Sequence, residues 1–175
     1  VPVVNGMDHD RHPCQSMSDA LTILEHAGTL AGVTFAYVGD AAHPCNSLST
    51  TLTKLGLHVR IGNAAGYEMA SELQELARTF AAESGGSFLM TNDPVEAVTG
   101  ADFIYTDCWW WTGQEDEYKD RVAAFQAFQV NPDLWSHAKP EAKFMHCLPA
   151  MRGEEVVDEI ADGPMSIIFP QAQNR

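Results

Sequence analysis

The sequence predicts an α/β fold: a doubly wound, mostly parallel sheet with helices on both faces, as in Rossmann-like proteins. Short apolar runs that end in Gly, Asn or Asp alternate with longer segments of helical spacing. The runs are nearly continuous, which is typical of strands buried on both faces. The segments between them are long enough for the crossover connections that parallel strands require. A length of 175 residues with 45% hydrophobic content allows one sizeable core.

The amino-terminal region is predicted to hold a strand end and a helix. Residues 1–6 (VPVVNG) are apolar and favour the strand end, and Pro13 suits the first turn of the helix. Gly28 ends the helical pattern. The apolar residues that recur at helical spacing before it are Met17, Ala20, Leu21, Leu24 and Ala27.

The remaining elements follow in alternation. Strands are predicted at residues 33–40, 57–63, 87–91, 101–107, 143–147 and 166–169. Helices are predicted at residues 44–56, 67–85, 93–100 and 117–125, with a turn at 131–135. Ligands of doubly wound sheets bind at the carboxyl ends of the strands. The residues expected there are Gly39, Asp40, Asn63, Asp107, Cys108, His146 and Cys147, with Arg175 just past the last strand.

Charge and composition exclude several classes of function. A net charge of -14 with only ten Lys and Arg residues argues against nucleic-acid binding, which needs clustered cations. No apolar run approaches the roughly 20 residues of a membrane helix. Four cysteines in a chain of this size favour reduced thiols. We therefore expect a cytoplasmic protein without nucleic-acid or membrane partners.

Neither a metal nor an organic cofactor is expected. The spacing of the close His/Cys pairs is not that of zinc sites. These pairs are His12 with Cys14, His43 with Cys45, and His146 with Cys147. A dinucleotide site needs a glycine-rich turn after the first strand and an acid after the second. In this sequence the turn after the first strand has a single glycine, and the second strand ends in an asparagine.

Two strand-end residues have both a structural and a chemical interpretation. A covalent role for Cys147 lacks a base, because its neighbour His146 would point the opposite way on an extended segment. A small buried residue is the simpler interpretation. Asp107 ends an apolar run, so its carboxylate needs either protein donors or a cationic ligand. Taken alone, Asp107 is better explained as structural.

Several motifs together resemble those of the ornithine carbamoyltransferase family. They occur in the family's order and are RHPCQSMSDALTILEH, YVGD, TDCW, GQE, MHCLPAMRGEEVVDE and FPQAQNR. The resemblance covers almost the whole chain. It implies two α/β domains, of which residues 29–175 would be the amine-binding one. Residues 1–28 would be a strand end and linking helix from a carbamoyl phosphate domain, and the full-length protein would be a homotrimer.

The resemblance implies attack of an uncharged amine on the carbamoyl carbon of carbamoyl phosphate, with loss of phosphate. His12 and Gln15 match the pair that grips the carbamoyl group, and Arg175 matches a clamp on carbamoyl phosphate. Cys147, with the backbone carbonyl of Leu148, would contact the carbamoyl nitrogen and the amine. Leu148 precedes a proline, which favours an extended conformation. The remaining member of the set, Asp107, would pair with an amino group of the second substrate.

The chain departs from the family in two ways. The Ser-Arg-Thr-Arg phosphate motif is absent, so we expect no transferase activity from these 175 residues alone. The second departure concerns the amine site, where Ala41, Ala42 and His43 replace the asparagines of ornithine enzymes. Trp111, Thr112 and Gly113 replace a Ser-Met-Gly segment. The related putrescine carbamoyltransferases also lack these asparagines and have an aromatic residue in this loop, which favours a diamine such as putrescine over ornithine. A hydrogen bond donated by His43 to the carboxylate would still allow ornithine as the substrate.

A non-catalytic α/β module that binds an amine or amino acid is the alternative of another class. It does not explain residues suited to a carbamoyl donor. Among the three consecutive tryptophans, Trp109 is expected to be packed structure. Trp110 and Trp111 are expected to line the amine site, where an indole face attracts an ammonium. If the segment is extended, Trp109 and Trp111 face one way and Trp110 the other.

Overall fold

The computed structural model describes residues 1–8, 10–41 and 43–175 and confirms the α/β fold class. Within these ranges one sheet has five strands, all parallel, in the order β3-β2-β1-β4-β5. The strands are β1 Thr34–Val38, β2 His58–Gly62, β3 Ser87–Thr91, β4 Phe103–Thr106 and β5 Lys143–His146.

The helices cover both faces of this sheet. They are α1 Pro13–Ala27, α2 His43–Lys54, α3 Ser71–Ser84, α4 Pro94–Val98, α5 Tyr118–Phe125, α6 Pro132–Trp135, α7 Asp158–Ala161 and α8 Ile168–Asn174. Short 3-10 turns lie at Glu115–Glu117 and Gln126–Phe128. In the described ranges no helix combines the length and the apolar composition of a transmembrane span.

Alternation along the strands divides the core into two layers. In β1, Phe35 and Tyr37 pack in the cluster that contains residues of α1 and α2. Ala36 and Val38 point to the opposite face and pack with residues of α4 and α6. Both layers are fully buried, which explains why the strands are continuous apolar runs.

The order of the strands fixes where a ligand can bind. The chain runs outward from β1 through β2 to β3, then returns to place β4 on the other side of β1 and β5 beyond it. Strand order therefore reverses between β1 and β4, and the loops that follow these two strands diverge. The crevice at such a switch point is the expected ligand site of an open α/β sheet.

Helix α1 begins at Pro13 and ends before Gly28, as predicted, but its apolar stripe is not its buried face. Met17, Leu21 and Leu24 are exposed. The buried face instead carries mostly polar residues: Gln15, Ser16, Ser18, Asp19, Ala20, Thr22 and Ile23. The predicted helical period is correct, but tertiary packing buries the other side of the helix.

Residues 1–6, the predicted strand end, form no strand among the described residues and are exposed; that they lead in from another domain stays a prediction. One predicted strand of the sheet is wrong. Residues 166–169 were also predicted as a strand, but Ser166 makes only an isolated bridge to Phe144. Helix α8 begins at Ile168, and a short apolar run of this kind fits a buried helix as well as a strand. Arg175 consequently follows a helix.

Candidate functional site

A cavity of about 470 Å³ lies at the switch point, enclosed by the loops that follow β1, β4 and β5 and by the start of α1. Its lining residues are Met7, His12, His43, Pro44, Asp107, Cys108, Trp110, Trp111, Thr112, Leu148, Pro149 and Met151. The lining is mainly apolar and aromatic, with a few polar groups, which is typical of small-molecule sites. Four segments distant in sequence meet here because parallel strands end at one edge.

Asp107 and Cys147 occupy the ends of adjacent strands β4 and β5. The Asp107 carboxylate is half-buried, and its Oδ1 accepts a hydrogen bond of 2.8 Å from the Cys108 N–H. The Cys147 thiol is buried beside it. Burial, together with the negative charge of Asp107, raises the pKa of this thiol well above its ordinary value. Cys147 is therefore a neutral thiol, which agrees with the absence of a covalent role.

His12 precedes the first turn of α1 and reaches the cavity. Its backbone N–H donates to Ser47 Oγ of α2 at 2.9 Å, which fixes the helix start against α2. Its Nδ1 is buried and has no hydrogen-bond partner among the described residues. Burial, and then the positive charge of Arg175, lower the pKa of His12. A neutral imidazole offers both a donor and an acceptor to a ligand.

Gln15, Arg175 and the backbone carbonyl of Cys147 form one hydrogen-bonded group beside the cavity. Arg175 Nη1 donates to Gln15 Oε1 and to the Cys147 carbonyl, each at 2.8 Å. The guanidinium thus links the first helix, the end of β5 and the end of α8. Arg175 is exposed, so its remaining N–H groups are accessible to an anionic ligand.

Leu148 corrects one sequence-based expectation. Its φ is 61°, so the backbone is left-handed and not extended, and the Leu148–Pro149 peptide bond is cis. The Leu148 N–H donates to His146 Nδ1 at 2.8 Å. His146 Nε2 in turn lies 3.1 Å from Glu155 Oε1, which makes Nε2 the protonated nitrogen. These two bonds hold the loop in the unusual conformation.

The three tryptophans have different environments. Trp109 is 2% exposed and stacks at 6.0 Å on Phe125, which confirms it as core. Trp110 and Trp111 both line the cavity. The chain bends at Trp109, three residues after β4 ends at Thr106, so the alternation expected for an extended segment does not apply. Gly39 lies against that indole; its φ of 129° favours glycine, and a Cβ there would lie only 3.3 Å from Thr106 Oγ1.

The two cavity-lining indoles are held by different partners. Trp110 Nε1 donates to Glu154 Oε2 at 3.0 Å. Trp111 packs on His43 with ring centroids 4.5 Å apart, and this pair joins the loops that follow β1 and β4. Thr112 completes that wall. Ala42, which also differs from ornithine enzymes, lies outside the described residues.

Sequence reasoning missed three buried charged residues that support the site. Arg121 donates to Asp40 Oδ2 at 2.8 Å and to the Trp109 carbonyl at 3.3 Å, beneath the tryptophan loop. Glu155 is fully buried and holds His146. Asp19 is fully buried one turn after Gln15. A charged residue on the buried face of a helix indicates a supporting role of this kind, but the buried face could be identified only from the structure.

One group of three potential metal ligands lies within the described residues. Asp107, Cys108 and His146 offer ligand atoms within 4.8 Å of one another. Asp107 accepts from the Cys108 N–H, and the Cys108 thiol donates to the Pro149 carbonyl at 2.9 Å. Both ring nitrogens of His146 are also bonded. The donors are therefore committed to the protein, which disfavours a metal at this position.

Comparison with known proteins matches this geometry to one family. Residues 31–175 match the family model for the Asp/Orn-binding domain of aspartate/ornithine carbamoyltransferases. The anabolic ornithine carbamoyltransferase of Pyrococcus furiosus is 50% identical over the whole chain, which spans 56% of that relative. The ornithine carbamoyltransferase of Bacillus subtilis is 49% identical, with 55% of its length covered. The solved P. furiosus enzyme superposes with a TM-score of 0.96 over 99% of this chain and 56% of its own.

Proposed function

The chain belongs to the aspartate/ornithine carbamoyltransferase family, and we propose that it is the amine-binding part of a carbamoyltransferase. The reaction moves the carbamoyl group of carbamoyl phosphate to a primary amine of ornithine or a similar small amine and releases phosphate. Residues 29–175 would hold the amine, and residues 1–28 would lead in from the carbamoyl phosphate domain.

The convergence of Gln15, Arg175 and Cys147 beside the Asp107 cavity is the observation that carries this proposal. A carbamoyl donor needs a cation for its phosphate, and donors and acceptors for its amide. Arg175 supplies the cation, and His12 and Gln15 supply a donor and an acceptor. Asp107 supplies a carboxylate that attracts and orients the incoming amine.

The amine that Asp107 orients must lose a proton before it can react. An alkylammonium with a pKa of about 10.4 is almost entirely protonated at pH 7 and cannot attack. Burial and the neighbouring carboxylate raise the pKa of the Cys147 thiol, which stays neutral and adds no negative charge that would stabilise the ammonium. The Leu148 carbonyl is the acceptor proposed for an N–H of the attacking amine. The amine, bound after it has lost its ammonium proton to solvent, would then form its bond to the carbamoyl carbon as the bond to the phosphate oxygen breaks. The departing phosphate would take up the further proton that the nitrogen loses.

Ornithine is the first acceptor to test, because the relatives that are 50% and 49% identical to this chain carry its name. Its α-carboxylate needs donors within the site, and burying it without them costs on the order of several kcal/mol. The candidate donors at the far end of the cavity are a ring nitrogen of His43 and the hydroxyl of Thr112.

A diamine such as putrescine is the second candidate, and the wall formed by Trp111 and His43 favours it. Beyond that wall lies a second cavity of about 300 Å³, whose lining includes Asp10, Asp40 and Glu68. Arg121 is the cation that this lining contains, and it is paired with Asp40 and Glu117. Indole faces and carboxylates together suit a distal ammonium better than a carboxylate.

The acceptor can be identified by steady-state kinetics. The protein is assayed together with its carbamoyl phosphate domain, and putrescine, ornithine, agmatine and lysine are ranked by kcat/KM. A lead of orders of magnitude for ornithine would reject the diamine. Amine binding without phosphate release from any donor would instead indicate the non-catalytic module. Sedimentation of the same protein tests the expected homotrimer.

The chain spans about 56% of the length of its P. furiosus relative, so the phosphate site needs cations from elsewhere. We expect the 175 residues alone to release no phosphate from carbamoyl phosphate in the presence of an amine. Phosphate release by the purified chain would contradict the proposed division of the site between two domains.

A further inference from the structure

Helix α1 buries a carboxyl group, Asp19, one turn after Gln15. The side chain is fully buried, and no cation lies within ion-pairing distance of it among the described residues. Desolvation raises the pKa of Asp19 to about 7, and its hydrogen bonds partly offset this effect. Burying such a group costs stability unless its oxygens are hydrogen-bonded. Oδ1 is bonded, whereas Oδ2 is buried without a hydrogen-bond partner among the described residues, and the contacts of Oδ1 indicate what this carboxyl group does.

One oxygen of Asp19 accepts from two side-chain amides. Gln15 Nε2 donates to Asp19 Oδ1 at 2.8 Å, and Gln171 Nε2 of α8 donates to the same oxygen at 2.7 Å. Gln171 Oε1 accepts from the His146 N–H at 2.9 Å, so the carboxyl group is tied to the end of β5. Tyr105 of β4 faces the carboxyl group from the sheet.

These contacts decide which way the Gln15 amide points. A glutamine amide has a donor side and an acceptor side of almost the same shape. Because Asp19 Oδ1 accepts from Nε2, Oε1 must point toward the site, where Arg175 donates to it. A carbonyl oxygen accepts two hydrogen bonds, so Oε1 keeps one position for the N–H₂ of a carbamoyl group. The reversed amide would place donors against the guanidinium.

We propose that Asp19 is a positioning residue that holds Gln15 Oε1 toward the site, and thereby sets the affinity for the carbamoyl group. This inference rests on the proposed function, because the ligand of Gln15 is taken to be carbamoyl phosphate. The role requires an acceptor oxygen at position 19. An asparagine there should therefore preserve the position of Gln15, whereas an isosteric apolar residue should not.

The test compares three variants of the protein with its carbamoyl phosphate domain. Calorimetry gives the affinity for carbamoyl phosphate, and separately for the acceptor amine. Asp19→Leu should weaken carbamoyl phosphate binding about 10-fold, the loss expected for one hydrogen bond of this kind. Asp19→Asn should restore most of the affinity. Ser18→Ala is the matched control, since Ser18 Oγ donates to the Gln171 carbonyl from the same buried face without touching Gln15.

A double-mutant cycle separates positioning from general damage. In a Gln15→Ala background the further change Asp19→Leu should have little effect on carbamoyl phosphate binding, because the residue through which it acts is gone. An equal loss in both backgrounds would overturn the proposal. Equal losses of carbamoyl phosphate and amine affinity, or a failure of Asp19→Asn to restore binding, would do the same.

A measurement on the unmodified protein keeps the proposal testable if Asp19→Leu does not fold. In NMR spectra of protein labelled at glutamine Nε2, the Gln15 and Gln171 amide protons should exchange slowly and show one orientation. Rapid exchange at Gln15 would overturn the positioning role. Absence of carbamoyl phosphate binding by the unmodified protein would instead reject the proposed function, while the exchange result still decides the orientation.

Discussion

Removing the buried cation Arg121 should destabilise the protein in a way that depends on pH. Arg121 is paired with Asp40 at 2.8 Å, and their side chains are 10% and 7% exposed. Arg121→Met leaves the Asp40 carboxylate buried without its partner. Loss of one member of a buried pair costs about 3 to 5 kcal/mol. We expect a penalty of that size in the free energy of unfolding at pH 8.

The penalty should shrink at pH 5, because Asp40 can take up a proton. Burial raises the pKa of Asp40 from 3.8 to about 6, although Arg121 opposes the rise. A raised carboxyl pKa means that the folded state holds the proton more tightly than the unfolded state. The contribution of Asp40 to the free energy of unfolding is therefore fully present below about pH 4 and is lost as pH rises through 6, a change of about 3 kcal/mol. Without Arg121 the pKa rises further and the loss continues to higher pH.

Urea unfolding at pH 5, 6.5 and 8 measures this effect. The difference between Arg121→Met and the unmodified protein should fall to about 1 to 2 kcal/mol at pH 5, where mainly hydrogen bonds are lost. In the double variant Asp40→Asn, Arg121→Met the extra pH dependence should vanish. Arg152, paired with Asp158 and Asp162 on the surface, is the control, and Arg152→Met should change stability far less. A penalty that is the same at pH 5 and pH 8 would refute the reasoning.

The other predictions concern the tryptophans and the thiols. Trp111→Ser should change the ratio of kcat/KM between putrescine and ornithine by about 2-fold to 30-fold, the range of a lost cation–π contact, with little change in KM for carbamoyl phosphate; equal losses in both would mark Trp111 as packing. Trp109→Ala should lower the free energy of unfolding by about 3 to 5 kcal/mol in urea titrations, and Trp110→Ala should cost clearly less. Ellman's reagent should label Cys14 rapidly, since it is exposed, and label Cys45, Cys108 and Cys147 only on unfolding; a fast reaction that persists in Cys14→Ser would contradict this.

The sheet and most helices could be predicted because their signals are local. Continuous apolar runs and glycine stops fixed β1 to β5 and the start and end of α1. The last predicted strand was wrong, since residues 166–169 satisfy both patterns and only the packing of α8 decides between them. Sequence spacing also could not tell that the polar side of α1 is buried, because both α2 and α8 pack against it.

The part of the candidate site that lies in sequence motifs could be predicted, whereas the roles of the buried residues that support it could not. Asp107, Cys147 and the start of α1 meet at one edge because of the strand order. The left-handed Leu148 and the bend at Trp109 were not predictable. A hydrogen bond to the His146 side chain overrides the local preference at Leu148, and packing on Phe125 does so at Trp109. Asp19 lies within a family motif that assigned it no role, and Arg121 lies outside the motifs; the roles of both follow from contacts across the fold.

The contact between Gln15 and Arg175 joins residues 160 positions apart. During synthesis at roughly 5 to 20 residues per second, Gln15 would leave the ribosome about 8 to 32 s before Arg175. Every strand of the sheet emerges within that interval, so the cavity at the strand ends can form while Arg175 is still missing. A nascent chain, or one clipped before Arg175, would thus keep this cavity and lack the guanidinium that joins Gln15 to the end of β5.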